Sequence, residues 1–470
     1  MKTRDLVAMG IPAGEPADHA KQILQRAQAA KRSMKEVLGD LKRVAASPSA
    51  FVADETYGTL ARQLVDQAAV RSTFRHRHGD APYRIWGSDF DASAIQQLKN
   101  ACKLPVSVSA ALMPDAHVGY GLPIGGVLAT HEAVIPYAVG VDIACRMKMT
   151  VLDLPLSALA NEQPRLTNVI ERETRFGMGE TFRSPRQHDV MDRDWRVSPV
   201  TAKLKDKAWS QLGTSGSGNH FVEFGELTVM DETVGLPKGT FLALLSHSGS
   251  RGTGAAIAQH YSKLAREIHR ELPHELSQLA WLDLSSNAGQ EYWAAMELMG
   301  YYAAANHAVI HKHVARSLGV EVMLDIENHH NFAWRERHRL PDGSDGELIV
   351  HRKGATPAGA GVLGIIPGSM GTPGYVVRGK GVASSLNSAA HGAGRRMSRT
   401  QAKKQFAWDD AMRFLRERGV TLISAGLDEV PMAYKDIDEV MAAQSDLVEP
   451  LARFEPRLVK MAPGSERPED

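Results

Sequence analysis

The sequence predicts a mixed helical and β protein, on the evidence of three stretches. Residues 15 to 80 carry apolar side chains at three- to four-residue spacing. From Pro82 onward, short β-type runs are punctuated by Gly and Pro. Helical spacing then returns at 254–273 and 288–318. In HAKQILQRAQAAKRSMKEVLGDLKRVAAS the apolar positions are Ile23, Leu24, Ala27, Val37, Leu38 and Leu41, with Lys and Arg between them. Ser47, Pro48 and Ser49 break that helix, and ETYGTLARQLVDQAAV predicts another. The basic faces read first as solvated surface, with an RNA or partner surface as the alternative. The β-type runs are PVSVSAALM at 105–113, GGVLAT, and AVIPYAVGVDIACRMKMTVL. The Gly-rich stretch 345–382 is expected to form ordered loops and strands around a ligand, and the polar end after Ala462 to fray.

Composition narrows the class. At 470 residues, with 43% hydrophobic and 23% charged side chains, the chain has material for one large core or two to three smaller ones. Aromatics are only 6%, so the core must be aliphatic and methionine-rich. The formal charge is +1, so any nucleic-acid contact must come from a local patch. MKTRDLVAMG offers no apolar signal-peptide core, and no run of about 18 apolar residues is present, so no membrane partner is expected. Two cysteines cannot build a disulfide scaffold and suggest a reducing, cytoplasmic setting.

Five segments set metal-ligating or phosphate-binding side chains among small residues. In MPDAHVGYGLPIGG followed by VGVDIACRM, Asp142 and Cys145 are three apart, and a carboxylate with a thiolate suits a transition metal. LGTSGSGNHFVEF carries Asn219, His220 and Glu223 behind three glycines. It is a poor dinucleotide loop, because a strand-like run follows it rather than a helix. An apolar strand delivers His247 in LLSHSGSRG, where Ser248 to Arg251 form a phosphate-friendly loop. ENHHNFAWRE holds His329, His330 and Asn331, and SLNSAAHGAGRRMSR holds His391 ahead of Arg395, Arg396 and Arg399. Any one histidine reads as structural, and so does Cys145 alone. Together, Asp, Cys and three His could bind two metals with the thiolate bridging. His307 and His311, four apart but without a zincin glutamate, read as helix-face residues.

These segments, with PGSMGT and AYKDIDEV, resemble the RtcB family of RNA-splicing ligases, in the family's order from about residue 82 to about 462. The resemblance implies an α+β fold, with antiparallel sheets around a central metal and nucleotide cleft and helices outside. It implies a helical extension at 1–80, a catalytic domain at 81–463 and a polar tail at 464–470. The implied enzyme is a GTP- and Mn²⁺-dependent RNA ligase acting in RNA repair or tRNA splicing. It would join 3′-phosphate or 2′,3′-cyclic phosphate ends to 5′-hydroxyl ends, with an archease-type activator as an optional partner. The implied ligands of two Mn²⁺ ions are Asp142, Cys145, His220, His247 and His330, and the guanylate-accepting nucleophile is His391. Implied nucleotide contacts are Asn219, His220, Phe221, Glu223, His330, Asn331, Pro367, Gly368, Ser369 and Met370. The loop His391, Gly392, Ala393 and Gly394, with Tyr434 and Lys460, completes them. Arg251 and Arg395 are implied RNA contacts. Arg396, Arg399, Lys403, Lys404, Arg378 and Lys380 would extend a basic groove.

The chain departs from the family's usual pattern at Ala144 and Arg146, where glycines are common, at Gly374, where serine is common, and at His311 and Lys312. None of these removes a ligand or the nucleophile, so activity is expected, in a divergent paralogue. The competing readings are a two-metal phosphatase or cyclic phosphodiesterase and a non-catalytic RNA-end-binding protein. Neither needs the whole set of Asp142, Cys145, His220, His247, His330 and His391.

Overall fold

The computed structural model describes residues 2–12, 15–71, 77–340 and 343–464. The described residues of 1–75 and 268–277 form one compact unit, and the remainder forms a second. Residues 72–76 and 465–470, reached by the expected helical region and polar tail, lie outside the description.

In the first unit, helices α1 (Glu15–Ala29), α2 (Met34–Ala46) and α3 (Gly58–Arg71) enclose a small core of Ile23, Leu24, Leu41, Val44, Leu60 and Leu64. The helix expected to run to Ser47 is instead broken at Lys31, which sits at φ 54°, and restarts after Ser33. One long helix would leave its apolar stripe exposed, whereas two shorter ones fold together and bury it. The helical expectation also overran at its end, since residues 77–80 carry no helix.

Two large sheets build the second unit. Their strands in chain order are β1 (Tyr83–Ile85), β2 (Ser107–His117), β3 (Ile124–Thr130), β4 (Arg146–Leu152), β5 (Phe221–Val229) and β6 (Gly239–Ser248). There follow β7 (Val322–His329), β8 (Asn331–Arg339), β9 (Asp345–Lys353), β10 (Leu363–Ile366), β11 (Gly374–Gly379) and β12 (Val448–Met461). One sheet runs β1-β2-β3-β9-β8; the other runs β10-β11-β12-β5-β6-β4-β7, with Thr421–Ser424 beside β12. Pairing is antiparallel except at β1–β2 and between Thr421–Ser424 and β12. The run AVIPYAVGVDIACRMKMTVL is strand only at Ala133–Val134 and Arg146–Leu152, because Pro136–Val139 forms a helical turn between them.

The second sheet curls almost into a barrel. Its outermost strands meet through Asn328 of β7, whose Oδ1 accepts the Ile365 N–H of β10 at 2.9 Å. Alternate side chains fill the interior: Met147, Met149 and Val151 from β4, Ala243 and Leu245 from β6, Leu227 from β5 and Phe454 from β12. The outer face carries Val222, Phe224, Leu242 and Leu244, which pack against α4 (Gln163–Glu173) and α6 (Asn287–Leu318). Between these, α5 (Arg251–Ile268) follows β6 directly. Both patterned helical stretches are therefore present: the one expected at 288–318 matches closely, and the one expected at 254–273 stops at Ile268. Among the described residues, no helix is long and apolar enough to cross a membrane.

Register fixes what sits at one end of this barrel. His247 lies opposite both Met147 and Phe221, and Arg146 opposite His329. Cys145, His220, His247 and His330 therefore gather at the ends of four adjacent strands. The loop that brings Asp142 alongside is tightly wound. Ala144, at one of the positions where the family resemblance anticipates glycine, adopts φ 58°, and its N–H donates to the Asn331 carbonyl at 2.6 Å.

Two stability measurements follow. A left-handed alanine costs about 1 kcal/mol relative to glycine, so Ala144→Gly should raise the urea midpoint by a corresponding amount, and a lower midpoint would contradict the strain. Asn328→Ala leaves buried backbone groups of Ile365 without partners, and should cost about 1–3 kcal/mol in the same assay.

Candidate active site

The site is built from lone pairs that point at one another. His220 Nδ1 is 2.8 Å from the Ser215 carbonyl and His247 Nδ1 is 3.1 Å from the Asn219 carbonyl. A carbonyl only accepts, so both Nδ1 atoms carry a proton, and in its neutral form each ring presents a bare Nε2. His220 Nε2 then faces Asp142 Oδ2 at 3.1 Å. His247 Nε2 faces His330 Nε2 at 3.2 Å and Cys145 Sγ at 3.1 Å. Cys145 Sγ also lies 3.4 Å from His220 Nε2.

Two buried groups of possible metal ligands result, Asp142–Cys145–His220 and Cys145–His247–His330, with Cys145 in both. Within each, the ligating atoms lie within 4.8 Å of one another. The donor set fits a metal ion: acceptors crowded together in a buried site need a cation between them, and each Nδ1–H···O=C bond orients its imidazole for ligation. Burial holds His247 down to about 3 and keeps His330 well below the usual histidine range, so both rings are neutral donors. Asp142 is further fixed by the Ser250 N–H at 3.0 Å. Gly249 must be glycine here, since a Cβ would sit 2.1 Å from Asp142 Oδ2.

His391 lies next to this centre, its ring 4.9 Å from that of His330. The partner that orients it, Asp115, is fully buried in β2. One Asp115 oxygen takes the His391 backbone N–H at 3.0 Å, the His391 Nδ1–H at 2.7 Å and the Gly392 N–H at 3.3 Å. Asp115 thus holds the Nδ1 edge of the ring, so Nε2 is the ring nitrogen left facing away from it. Gly394 lets the loop close on Asp115; at φ 74°, a Cβ there would lie 2.0 Å from the Asp115 carbonyl oxygen.

A cavity runs from these groups into the barrel. It is lined by all of the expected metal ligands and by Asn219, Phe221, Glu223, Asn331, Pro367 to Met370, His391 to Arg395 and Tyr434. At its inner end are Met147, Leu245 and Phe454, and among them burial alone pushes the Glu223 carboxyl well above its usual range. Of the expected nucleotide contacts, only Lys460 is absent from the lining; its ammonium lies 5.6 Å from the centroid of the Phe176 ring instead. Arg251 is also absent, being 2% exposed and bonded through Nε to Thr214 Oγ1 at 3.0 Å.

The anticipated basic groove is smaller than the sequence suggested. Arg395 stacks on Tyr434 and reaches Glu429, Arg399 pairs with Asp428 and Glu429, and Lys403 pairs with Asp428. Arg378 pairs with Glu449 and Lys380 donates to the Ser445 carbonyl, so neither joins the cavity. Arg146 points away from the barrel interior, toward Glu327 at 3.5 Å and His329 Nδ1 at 3.2 Å. His307 and His311 do lie on a helix face, but a fully buried one. His307 Nε2 donates to the Ser248 carbonyl at 3.0 Å, and both rings meet Ser246 Oγ at 2.7 Å.

Sequence reasoning passed over Asp115, His117 and Lys353. MPDAH stood out as a segment, but no spacing marks a strand aspartate as the partner of a histidine 276 residues later. Lys353 sits in a β strand and looks like surface, yet it is 4% exposed.

Comparison with known proteins agrees with the geometry. The tRNA-splicing ligase RtcB family profile matches residues 97–196 and 186–461. The chain is 35% identical over 402 residues to the RNA-splicing ligase RtcB of Escherichia coli strain K12, covering 79% of this chain and 95% of that protein. It is 32% identical over 455 residues to the tRNA-splicing ligase RtcB of Nanoarchaeum equitans, covering 80% and 94%. It is 29% identical over 426 residues to RNA-splicing ligase RtcB homolog 1 of Entamoeba histolytica, covering 76% and 80%. The chain belongs to the tRNA-splicing ligase RtcB family.

Proposed function

We propose that this protein is a cytoplasmic RNA ligase that joins 3′-phosphate or 2′,3′-cyclic phosphate ends to 5′-hydroxyl ends, using GTP and two Mn²⁺ ions and carrying GMP on His391. The observation that supports this best is His391, held through Nδ1 by Asp115 beside a cluster of metal ligands, so that its Nε2 is the nitrogen free to attack. A 3′-phosphate is a poor electrophile, because attack by a hydroxyl would expel oxide or hydroxide. Attaching GMP to it supplies a leaving group. In this reading His391 Nε2 attacks the α-phosphorus of GTP and pyrophosphate departs. The RNA 3′-phosphate oxygen then takes GMP from His391, giving a diphosphate-linked end and restoring the free imidazole. Finally the 5′-hydroxyl attacks the RNA phosphorus and GMP leaves. A cyclic phosphate would first be opened by water.

Asp142, Cys145 and His220 would hold one Mn²⁺ and Cys145, His247 and His330 the other, supplying charge neutralisation on phosphate oxygens. Glu223, inside the apolar part of the cavity, matches the N1–H and 2-amino donors of guanine, which would restore its charge on binding. Asp115 would keep one His391 tautomer throughout, as the aspartate of a serine-protease triad does for its histidine. A phosphatase built on the same metal centre would have no use for the Asp115–His391 pair. The helical unit at the chain start is proposed to be accessory to this chemistry.

Intact mass after incubation with GTP and Mn²⁺ tests the reading. Wild type should gain one GMP and His391→Ala none, while Asp115→Asn should form the adduct roughly 10²-fold more slowly or worse. An adduct on His391→Ala would show that the nucleophile is another residue. Bound metal measured by plasma mass spectrometry should fall below one ion per chain in Cys145→Ala, because both groups lose a ligand. Two retained ions would rule out a shared thiolate.

A further inference from the structure

A second cavity adjoins the first, sharing Asp142, Asn331, His117 and Arg395 with it, and none of its lining residues comes from the barrel strands. A group bound there reaches the metal-ligand cluster without entering the pocket that holds Glu223. Tyr120 stands at this cavity 61% exposed, in the turn between β2 and β3. Its carbonyl accepts a hydrogen bond from the buried Lys353 Nζ, so one lysine fixes the tyrosine's backbone and itself lines the cavity.

The cations around this cavity differ in what they have left to offer. Lys435 donates to the carbonyls of Asp89, Pro114 and Ala116. Arg395 and Arg399 are engaged by Asp428 and Glu429. Lys353 has three N–H donors, and among the described residues no carboxylate pairs with it. Among the described residues, the Arg396 guanidinium pairs only with Glu439, 3.8 Å away at an exposed position. Of the acids at the rim, Asp91 caps the helix that follows it, leaving Asp89. An exposed aromatic ring beside two under-used cations suits one nucleoside and one phosphate.

We propose that this cavity receives the first nucleotide of the 5′-hydroxyl strand, its base stacked on Tyr120 and its 3′-side phosphate held by Lys353 and Arg396. The inference rests on the ligase reading above. A 5′-hydroxyl end has no terminal phosphate, so its nearest anion lies one nucleoside in from the reacting oxygen. The cavity meets the metal-ligand cluster at Asp142 and Asn331, and Lys353 pairs with Asn331 across the β8–β9 ladder, so a phosphate on Lys353 would sit near that shared wall. Burial pulls Lys353 down to about 7, and a bound phosphate would favour its charged form.

The test is steady-state ligation of synthetic RNA strands with GTP and Mn²⁺, each strand varied while the other is saturating. Tyr120→Ala should raise the KM for the 5′-hydroxyl strand ~10–100-fold, with the KM for the 3′-phosphate strand unchanged. Tyr120→Trp should restore it to within a few-fold. Lys353→Met should also raise the KM for the 5′-hydroxyl strand and flatten its salt dependence. If wild type ligates but Tyr120→Ala leaves that KM unchanged, or raises the KM for the 3′-phosphate strand instead, the proposal is wrong while the ligase reading stands. A wild type that forms no GMP adduct overturns both.

Discussion

Much of the second unit can be understood from one electrostatic constraint: buried acceptors aimed at one another. The imidazoles of His220 and His247 donate through Nδ1 to main-chain carbonyls and so turn their Nε2 atoms toward a carboxylate, a thiol and a third histidine. Such a cluster is costly without a cation between its members. Holding it in place requires several strand ends to coincide, which the antiparallel register of the barrel provides. It also requires a backbone path that brings Asp142 alongside, which the left-handed Ala144 permits. The chain bears local strain to keep donor atoms together.

Around that cluster the protein separates two environments. Inside the barrel, an apolar well with one carboxyl suits a flat, donor-rich ring. Outside it, a polar layer of Ser246, His307, His311 and Thr150 braces the strand that carries His247. This layer explains why α6 buries two histidines. They hydrogen-bond to the serine before the proposed ligand and to the carbonyl of the one after it, and metal binding is not needed to account for them.

The site was more legible in the sequence than the fold. Asp142 with Cys145, and three histidines each set among small residues, stood out because metal ligands and close backbone approach leave local signatures. The strand-like run after GNHF correctly argued against a dinucleotide loop, and it is β5. Pairings that depend on the tertiary path were not legible. Asp115 is an ordinary strand residue until β2 passes under the His391 loop, and Lys353 reads as surface until its strand is covered. Arg251 and Lys460 carry the charge expected of RNA or nucleotide contacts, yet burial of one and the position of the other keep them out of the cavity lining. The break at Lys31 was hidden because apolar spacing continues on both sides of it.

The central claim is that two metal ions share the Cys145 sulfur beside a nucleophilic His391. Anomalous diffraction at the manganese edge, on crystals grown with Mn²⁺ and GTP, tests it most directly. The account expects two peaks, both in contact with Cys145 Sγ, and nucleotide density continuous with His391 Nε2. A single peak, peaks that avoid Cys145, or nucleotide joined to any other side chain would contradict it.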